Sequence, residues 1–226
     1  MNADPSSVAA RARTYSALGD ETRLSIVDLL RLGDLSPGEI GASLGMPTNL
    51  LAHHVKILRR VGLVAHARSE GDRRRTYLRL TDAVPADPHA VPALTARRVV
   101  FVCTRNSARS QLASAIWNNV GQVPSLSAGT DPARHVHDAA VNAAHRHGLH
   151  LNGNGTKHVA KVARHGDLLV AVCDNAHEQL QTTTLTRLHW SVPDPVPVGT
   201  AAAFDLTMAD LAARIGHLVP ALTRST

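Results

Sequence analysis

Apolar residues recur at helical spacing early in the chain, at Leu18, Leu24, Ile26, Val27, Leu29 and Leu30, and the run stops at Gly33. Ser36-Pro37 then reads as an N-cap followed by proline at the first helical position, opening a short helix that carries Ile40 and Leu44 and ends at Gly45. Met46-Pro47-Thr48 restarts the chain into a second helix with Leu51, Val55 and Leu58 on one face, ended near Gly62. The stretch GLVAHARSEGDRRRTYLRLT changes period and predicts two strands joined at Glu70-Gly71-Asp72. From Thr81 to Ala96 the periodicity stops and prolines stand at 85, 88 and 92, where each removes a backbone donor and disfavours helix before it. Beyond them an apolar run, Val99 to Val102, has the length and β-branching of a buried parallel strand. A polar loop and a helix with Leu112, Ile116 and Val120 follow it, and a second apolar strand runs from Leu168 to Val172. The pattern predicts two domains: a mainly α helix-turn-helix with a β-wing over residues 8–82, a proline-rich linker over 83–96, and an α/β domain with a parallel sheet over 97–222.

A length of 226 residues accommodates two small domains, and a composition of 44% hydrophobic against 19% charged residues supports a core for each and excludes disorder. No apolar run approaches the roughly 18 residues of a membrane span, and Met1 to Ser7 carries no basic stretch leading into an apolar one. The chain is therefore expected to be cytoplasmic, with no membrane partner. Its net charge of +6 is concentrated. Residues 47–80 hold eight Lys or Arg (Lys56, Arg59, Arg60, Arg68, Arg73, Arg74, Arg75 and Arg79) against Glu70 and Asp72, a local excess equal to that of the whole chain. A basic hairpin directly after a helix-turn-helix points to a polyanionic partner for that domain.

The helix-turn-helix and wing resemble the winged-helix repressors of the arsenic-responsive ArsR/SmtB family, in ALGDETRLSIVDLL, AHHVKILRRVGLV and the wing ending TYLRL. The resemblance covers about residues 10–81. It implies a homodimer that places the second helix of each subunit in successive major grooves of operator DNA. With Leu51, Val55 and Leu58 on the core face, Thr48, Asn49, Ala52, His53 and Lys56 are left toward the bases, and Arg73, Arg74 and Arg75 form a phosphate-contacting wing. Many members of that family sense metalloids through cysteines in or near this domain, and residues 1–102 contain none. His53 and His54, adjacent on a helix, point about 100° apart, so one faces the groove and one packs, and no metal site is assigned.

The two cysteines, Cys103 and Cys173, are too few for a disulfide framework or a four-thiolate zinc site. Cys103 ends the first apolar strand and opens Cys103-Thr104-Arg105-Asn106-Ser107-Ala108-Arg109-Ser110. The loop between Cys103 and Arg109 can wrap backbone N–H groups around a tetrahedral oxyanion, with the start of the next helix adding its positive dipole end. Arg109 can grip two oxygens at once, and the same donors favour a thiolate at Cys103, to whose sulfur Ser110 can donate. Cys173 follows the second apolar strand, so in a parallel sheet it emerges at the same edge.

Residues 97–222 resemble the low-molecular-weight tyrosine phosphatase fold and, within it, the arsenate reductases that use the same loop. The matching stretches are VVFVCTRNSARSQLASA, LSAGT at 126–130, DLLVAVCDNAHEQL and HWSVPDP. The resemblance implies Asp194, of Asp194-Pro195, as general acid, and the CDNA segment at Cys173 is a reductase feature. Phosphatases of this fold carry tyrosines after the Asp-Pro, whereas this chain continues Val-Pro-Val-Gly and has its two tyrosines at 15 and 77. The implied activity is conversion of arsenate to arsenite, started by Cys103 and finished by a second thiol. Relatives that end in a thioredoxin-reducible disulfide have a further cysteine where this chain has Leu180 or Gln181. The second thiol is thus Cys173 or a small molecule, mycothiol or glutathione with a glutaredoxin-like protein, ahead of thioredoxin, and no bound cofactor is expected. Two other outcomes stay open: a sensor that binds arsenate, arsenite or phosphate without turnover, and a phosphatase.

Overall fold

The computed structural model describes residues 7–85, 93–151 and 155–225. The chain divides into two compact units, one of residues 1–68 and 73–92 and the other of residues 69–72 and 93–226. Most of the expected linker, residues 86–92, lies outside the described residues. Among the described residues no helix is long and apolar enough to cross a membrane.

The first unit is helical with a two-stranded wing: α1 (Val8–Leu18), α2 (Glu21–Leu30), α3 (Pro37–Leu44), α4 (Thr48–Arg60), β1 (Val64–Arg68) and β2 (Thr76–Leu80). The sequence joined Leu18 to the run that follows; the structure breaks it at Gly19-Asp20, because Asp20 Oδ1 accepts from the backbone N–H of Arg23, 2.9 Å away, and caps α2. Leu24 consequently faces solvent, while Ile26, Val27 and Leu30 are buried. Ser36 and Glu39 form a reciprocal capping box at the start of α3, and Gly45 ends that helix in the left-handed region with φ +60. This turn aims α4 so that Leu51, Val55 and Leu58 join Ile26, Ile40, Leu63 and Leu78 in one core. β1 and β2 pair antiparallel from Val64↔Leu80 to Arg68↔Thr76, so their connection spans residues 69–75 rather than the three residues expected. Arg73, Arg74 and Arg75 lie in that connection, exposed, and not on a strand edge.

The second unit contains β3 (Leu94–Ala96), β4 (Arg98–Cys103), α5 (Arg109–Val120), β5 (Ser125–Gly129), α6 (Asp138–Arg146), α7 (Val159–Val162), β6 (Asp167–Ala171), α8 (Asp174–Gln179), β7 (Arg187–His189), α9 (Ala201–Leu218) and β8 (Leu222–Arg224). The main sheet is parallel, in the order β5-β4-β6-β7. The domain limits read from sequence shift at both ends. Residues 94–96, placed in the linker, form a strand in register with Leu222–Arg224, beyond the expected end at 222. Three residues per strand are too few for a period-2 signal.

Chain order reverses between β4 and β6: α5 leads from β4 to one neighbour and the next crossover returns to the other side. The C-terminal ends of these two strands form the crevice where open α/β sheets bind ligands. Beneath it Phe101 lies between Trp117 and Trp190, with ring centroids 6.0 and 5.8 Å away, and all three are fully buried. Trp117 takes the core face of α5 with Leu112 and Ala113, while Val120, helically spaced with Leu112, is exposed. Phe101→Ala removes the ring shared by both tryptophans and is expected to cost about 3–5 kcal/mol, measured by urea unfolding followed by tryptophan fluorescence.

Candidate active site

The loop between β4 and α5 is held from outside by its carbonyl groups. The oxygens of Cys103, Thr104 and Arg105 accept from the backbone N–H groups of Thr130, Asp131 and Ala133, at 3.2, 2.9 and 2.8 Å. That of Asn106 accepts from Gln111 Nε2 at 3.1 Å, and that of Ser107 from the His137 N–H at 2.8 Å. In a trans peptide the C=O and the next N–H point opposite ways. Five outward carbonyls therefore turn the N–H groups of residues 104–108 toward the inside of the loop, and α5 begins immediately afterwards at Arg109. One of them is already engaged: the Asn106 N–H lies 3.2 Å from Cys103 Sγ. Ser110 Oγ stands 3.1 Å from the same sulfur.

Asn106 sets this curvature. Its φ of +49 lies in the left-handed region, where a non-glycine residue costs about 1–2 kcal/mol and asparagine is among the best tolerated. The side chain, fully buried, offsets that cost by donating through Nδ2 to Ser110 Oγ at 2.8 Å and accepting at Oδ1 from the Lys157 N–H at 2.8 Å. Gly129 at the end of β5 is the neighbour that leaves room: a Cβ there would sit 2.6 Å from the Thr104 carbonyl oxygen and 3.0 Å from Asn106.

Arg109 is 7% exposed and points into the crevice. Its Nη1 donates to the Val192 carbonyl at 2.8 Å, and its Nη2 lies 3.0 Å from Asp194 Oδ2. Burial works against its charge, but Cys173, Asp194 and Cys103 more than compensate and hold the guanidinium more firmly protonated than usual. Asp194 lies beyond β7 and also accepts from the Val196 N–H at Oδ1, 3.2 Å away. Cys173 caps α8, its Sγ accepting from the Ala176 N–H at 3.4 Å, and Thr104 Oγ1 of the loop lies 3.6 Å from the sulfur. Burial pushes the Cys173 thiol up to about 11, with Arg109 opposing and Cys103 adding to the shift. Cys173 is thus a protonated thiol at neutral pH, beside a loop in which one N–H and one hydroxyl contact Cys103.

The residues expected at this site come together: Cys103, Arg109, Ser110, Asp194 and Cys173 surround one crevice. Asn106 has the largest structural part among the loop residues, while Arg105 is mostly exposed and pairs with Asp131 at the mouth. Asp131, His137 and Lys157, whose backbone N–H groups tether the loop, and Gly129, which leaves it room, carry no individual mark in the sequence beyond the LSAGT stretch that contains Gly129. In the first unit, Thr48, Asn49, Ala52, His53 and Lys56 form an exposed face of α4 opposite its buried residues. His54 packs instead, 3.5 Å from Asp20, while His53 is exposed. Among the described residues there is no cluster of three or more metal-ligating side chains.

A family model for low molecular weight phosphotyrosine protein phosphatase matches residues 98–226, more than half of the chain. The chain belongs to that family. A helix-turn-helix domain model matches residues 18–67, so this phosphatase-family chain is a fusion. An arsenate reductase of Brevibacillus brevis is 29% identical over 104 residues, 44% of this chain and 77% of that protein. An HTH-type transcriptional regulator of Bacillus subtilis, YceK, is 35% identical over 74 residues, 32% of this chain and 71% of that protein. The crystal structure of the Erwinia amylovora tyrosine phosphatase AmsI shares the fold, with a TM-score of 0.50 and 21% identity, covering 57% of this chain and 95% of that one.

The raised Cys173 thiol makes a pH prediction for this phosphatase-family site. Below its pKa the thiolate fraction grows about tenfold per pH unit. In a Cys103→Ser variant, which leaves Cys173 as the one cysteine and removes Cys103's smaller contribution while keeping the dominant one from burial, iodoacetamide labelling followed by intact mass should be slow at pH 7 and still rise toward pH 10.

Proposed function

We propose that the chain is a bifunctional arsenic-responsive repressor and arsenate reductase. The observation that carries the enzymatic half is the convergence on one anion loop of a hydrogen-bonded thiol, Cys103, a buried cation, Arg109, and a carboxylate, Asp194, ion-paired to that cation. A receptor that only bound oxyanions would need the loop and the arginine but neither nucleophile nor acid, which places the sensor reading second.

In this reading the loop N–H groups and Arg109 hold arsenate, and the Cys103 thiolate attacks arsenic. Asp194 protonates the departing oxygen, which leaves as water and gives a Cys103–arsenic(V) adduct. A second thiolate then attacks Cys103 Sγ. A disulfide forms, the sulfur–arsenic bond breaks with its electron pair remaining on arsenic, and arsenite departs. Cys173 is one source of that thiolate, because it sits against Thr104 of the same loop. Burial keeps it protonated, and the chain has no third cysteine to carry the disulfide onward. These facts favour a small thiol, mycothiol or glutathione with a glutaredoxin-like partner, as the resolving reductant. The curated arsenate reductase similar to this chain supports reduction over ester hydrolysis, while membership of the phosphatase family keeps hydrolysis of small phosphoesters as the competing activity.

For the regulatory half, α4 presents Thr48, Asn49, Ala52, His53 and Lys56 to operator DNA in a homodimer, with Arg73, Arg74 and Arg75 on the phosphates.

Cys103→Ser is expected to reduce arsenate-dependent thiol consumption below roughly a hundredth of wild type, with mycothiol–mycoredoxin, glutathione–glutaredoxin and thioredoxin tested side by side. Higher residual turnover removes Cys103 as nucleophile. Replacing Arg73, Arg74 and Arg75 with alanine should weaken DNA binding across sequences and flatten the log–log salt slope by up to about one unit per lost contact. Titrations at several salt concentrations measure this, and an unchanged slope takes the wing off the phosphates.

A further inference from the structure

The acid-bearing segment is anchored at its far end by a buried polar pair that the proposed chemistry does not use. Asp174, the first residue of α8, places Oδ1 2.9 Å from Nε2 of His189, the last residue of β7. Each residue is only 2% exposed. Burial would raise the Asp174 carboxyl, but hydrogen bonds, led by that from His189 and including one from Ser191, hold it below the usual carboxylate range. An ionised carboxylate only accepts, so Nε2 of His189 is the donor. The imidazole is fixed on its face as well: it stacks on His177 with centroids 4.0 Å apart and planes 14° from parallel.

From His189 the chain runs directly to the site. The Trp190 N–H donates to the Ala171 carbonyl at 2.8 Å, the last rung of the ladder. Ser191 turns back onto Asp174, the Val192 carbonyl accepts from Arg109, and Asp194 pairs with the same guanidinium. A buried carboxylate is costly unless it is satisfied, so a pair of this kind is held to one geometry. It therefore fixes the start of a six-residue span whose other end carries the acid.

We infer that Asp174 and His189 are positioning residues for the acid: their buried hydrogen bond sets the path of residues 190–194 and so places Asp194 against Arg109. The inference rests on the reading of Asp194 as general acid. It differs from a general stabilising role, because a residue that acts through Asp194 loses its effect once Asp194 is gone.

The test is a double-mutant cycle on the full-length protein with His189→Leu, Asp194→Asn and the two combined. Folding is checked by tryptophan fluorescence, and the affinity for inorganic phosphate is measured by calorimetry. Turnover is arsenate-dependent thiol oxidation, or aryl phosphate hydrolysis if that is what the wild type performs. His189→Leu should lower kcat at least about tenfold while phosphate affinity changes less than about threefold, and the double variant should be no slower than Asp194→Asn alone. His189→Gln, which restores a donor at similar reach, should recover part of the loss. Should His189→Leu lose the fold, Asp174→Asn carries the same cycle. Additive losses, or a His189→Leu kcat within about twofold of wild type, overturn the inference. An Asp194→Asn variant as fast as wild type overturns the acid reading itself, and the inference with it.

Discussion

Everything chemical in this protein depends on five consecutive carbonyl groups pointing the wrong way for solvent. Residues 103–107 could fold as an ordinary turn with its oxygens in water and its amides scattered. Instead the segment 130–137 and the side chain of Gln111 take those oxygens up, and the N–H groups are left facing inward. Each such hydrogen bond contributes only about 0.5–1.5 kcal/mol net. Their effect is geometric: a concave set of donors exists before any anion arrives, so binding one does not require the loop to reorganise. Pre-organised dipoles of this kind are what stabilise developing negative charge in a transition state.

The constraint propagates outward. A loop this tight needs one residue in the left-handed region, and Asn106 accepts that conformation because its own side chain bonds to Ser110 and to the Lys157 backbone. The same packing requires Gly129, since β5 approaches the loop too closely for any side chain. Arg109 is then the junction between the loop and the rest of the site. It opens α5, and its guanidinium reaches Val192 and Asp194 on a segment far away in sequence. Both cysteines receive a backbone N–H and face a hydroxyl, Cys103 those of Asn106 and Ser110 and Cys173 those of Ala176 and Thr104. Cys103 differs in standing at the base of the anion loop, while burial holds Cys173 as a thiol.

Much of this was legible from residue types and spacing. An apolar β-branched run ending in cysteine, a Cys-to-Arg interval of five residues and a following helix are local features, and local features survive as patterns in a sequence. The exposed face of α4 was readable for the same reason, because its buried stripe of Leu51, Val55 and Leu58 fixes what is left over. Long-range relations were not. That Gly129 must lack a Cβ depends on the packing of β5, met only after α5, against the loop, and that His189 meets Asp174 depends on the pairing of β6 with β7. The short strands at 94–96 and 222–224 left no periodic trace, so part of the expected linker proved to be sheet. On α5 the buried face runs through Leu112 and Trp117 rather than on to Val120, with the Trp117 ring filling the space beside Phe101.

The distribution of charge separates the two units in kind. In the first, the basic residues of α4 and of the wing connection lie at the surface, where carrying charge costs little stability. In the second, the charges that matter are buried: Arg109 is 7% exposed and Asp174 2%. Groups placed so deeply must be paired or hydrogen-bonded within the fold, because an isolated buried charge would cost several kcal/mol. Asp194 is the partner that reconciles the cost with chemistry. It pairs with Arg109 while staying about one third exposed, which in the proposed reaction lets an incoming oxyanion compete for the guanidinium and leaves the carboxylate beside the bond to be broken. A fully buried acid would stabilise the arginine as well, but it would have no path for a proton to reach a departing oxygen.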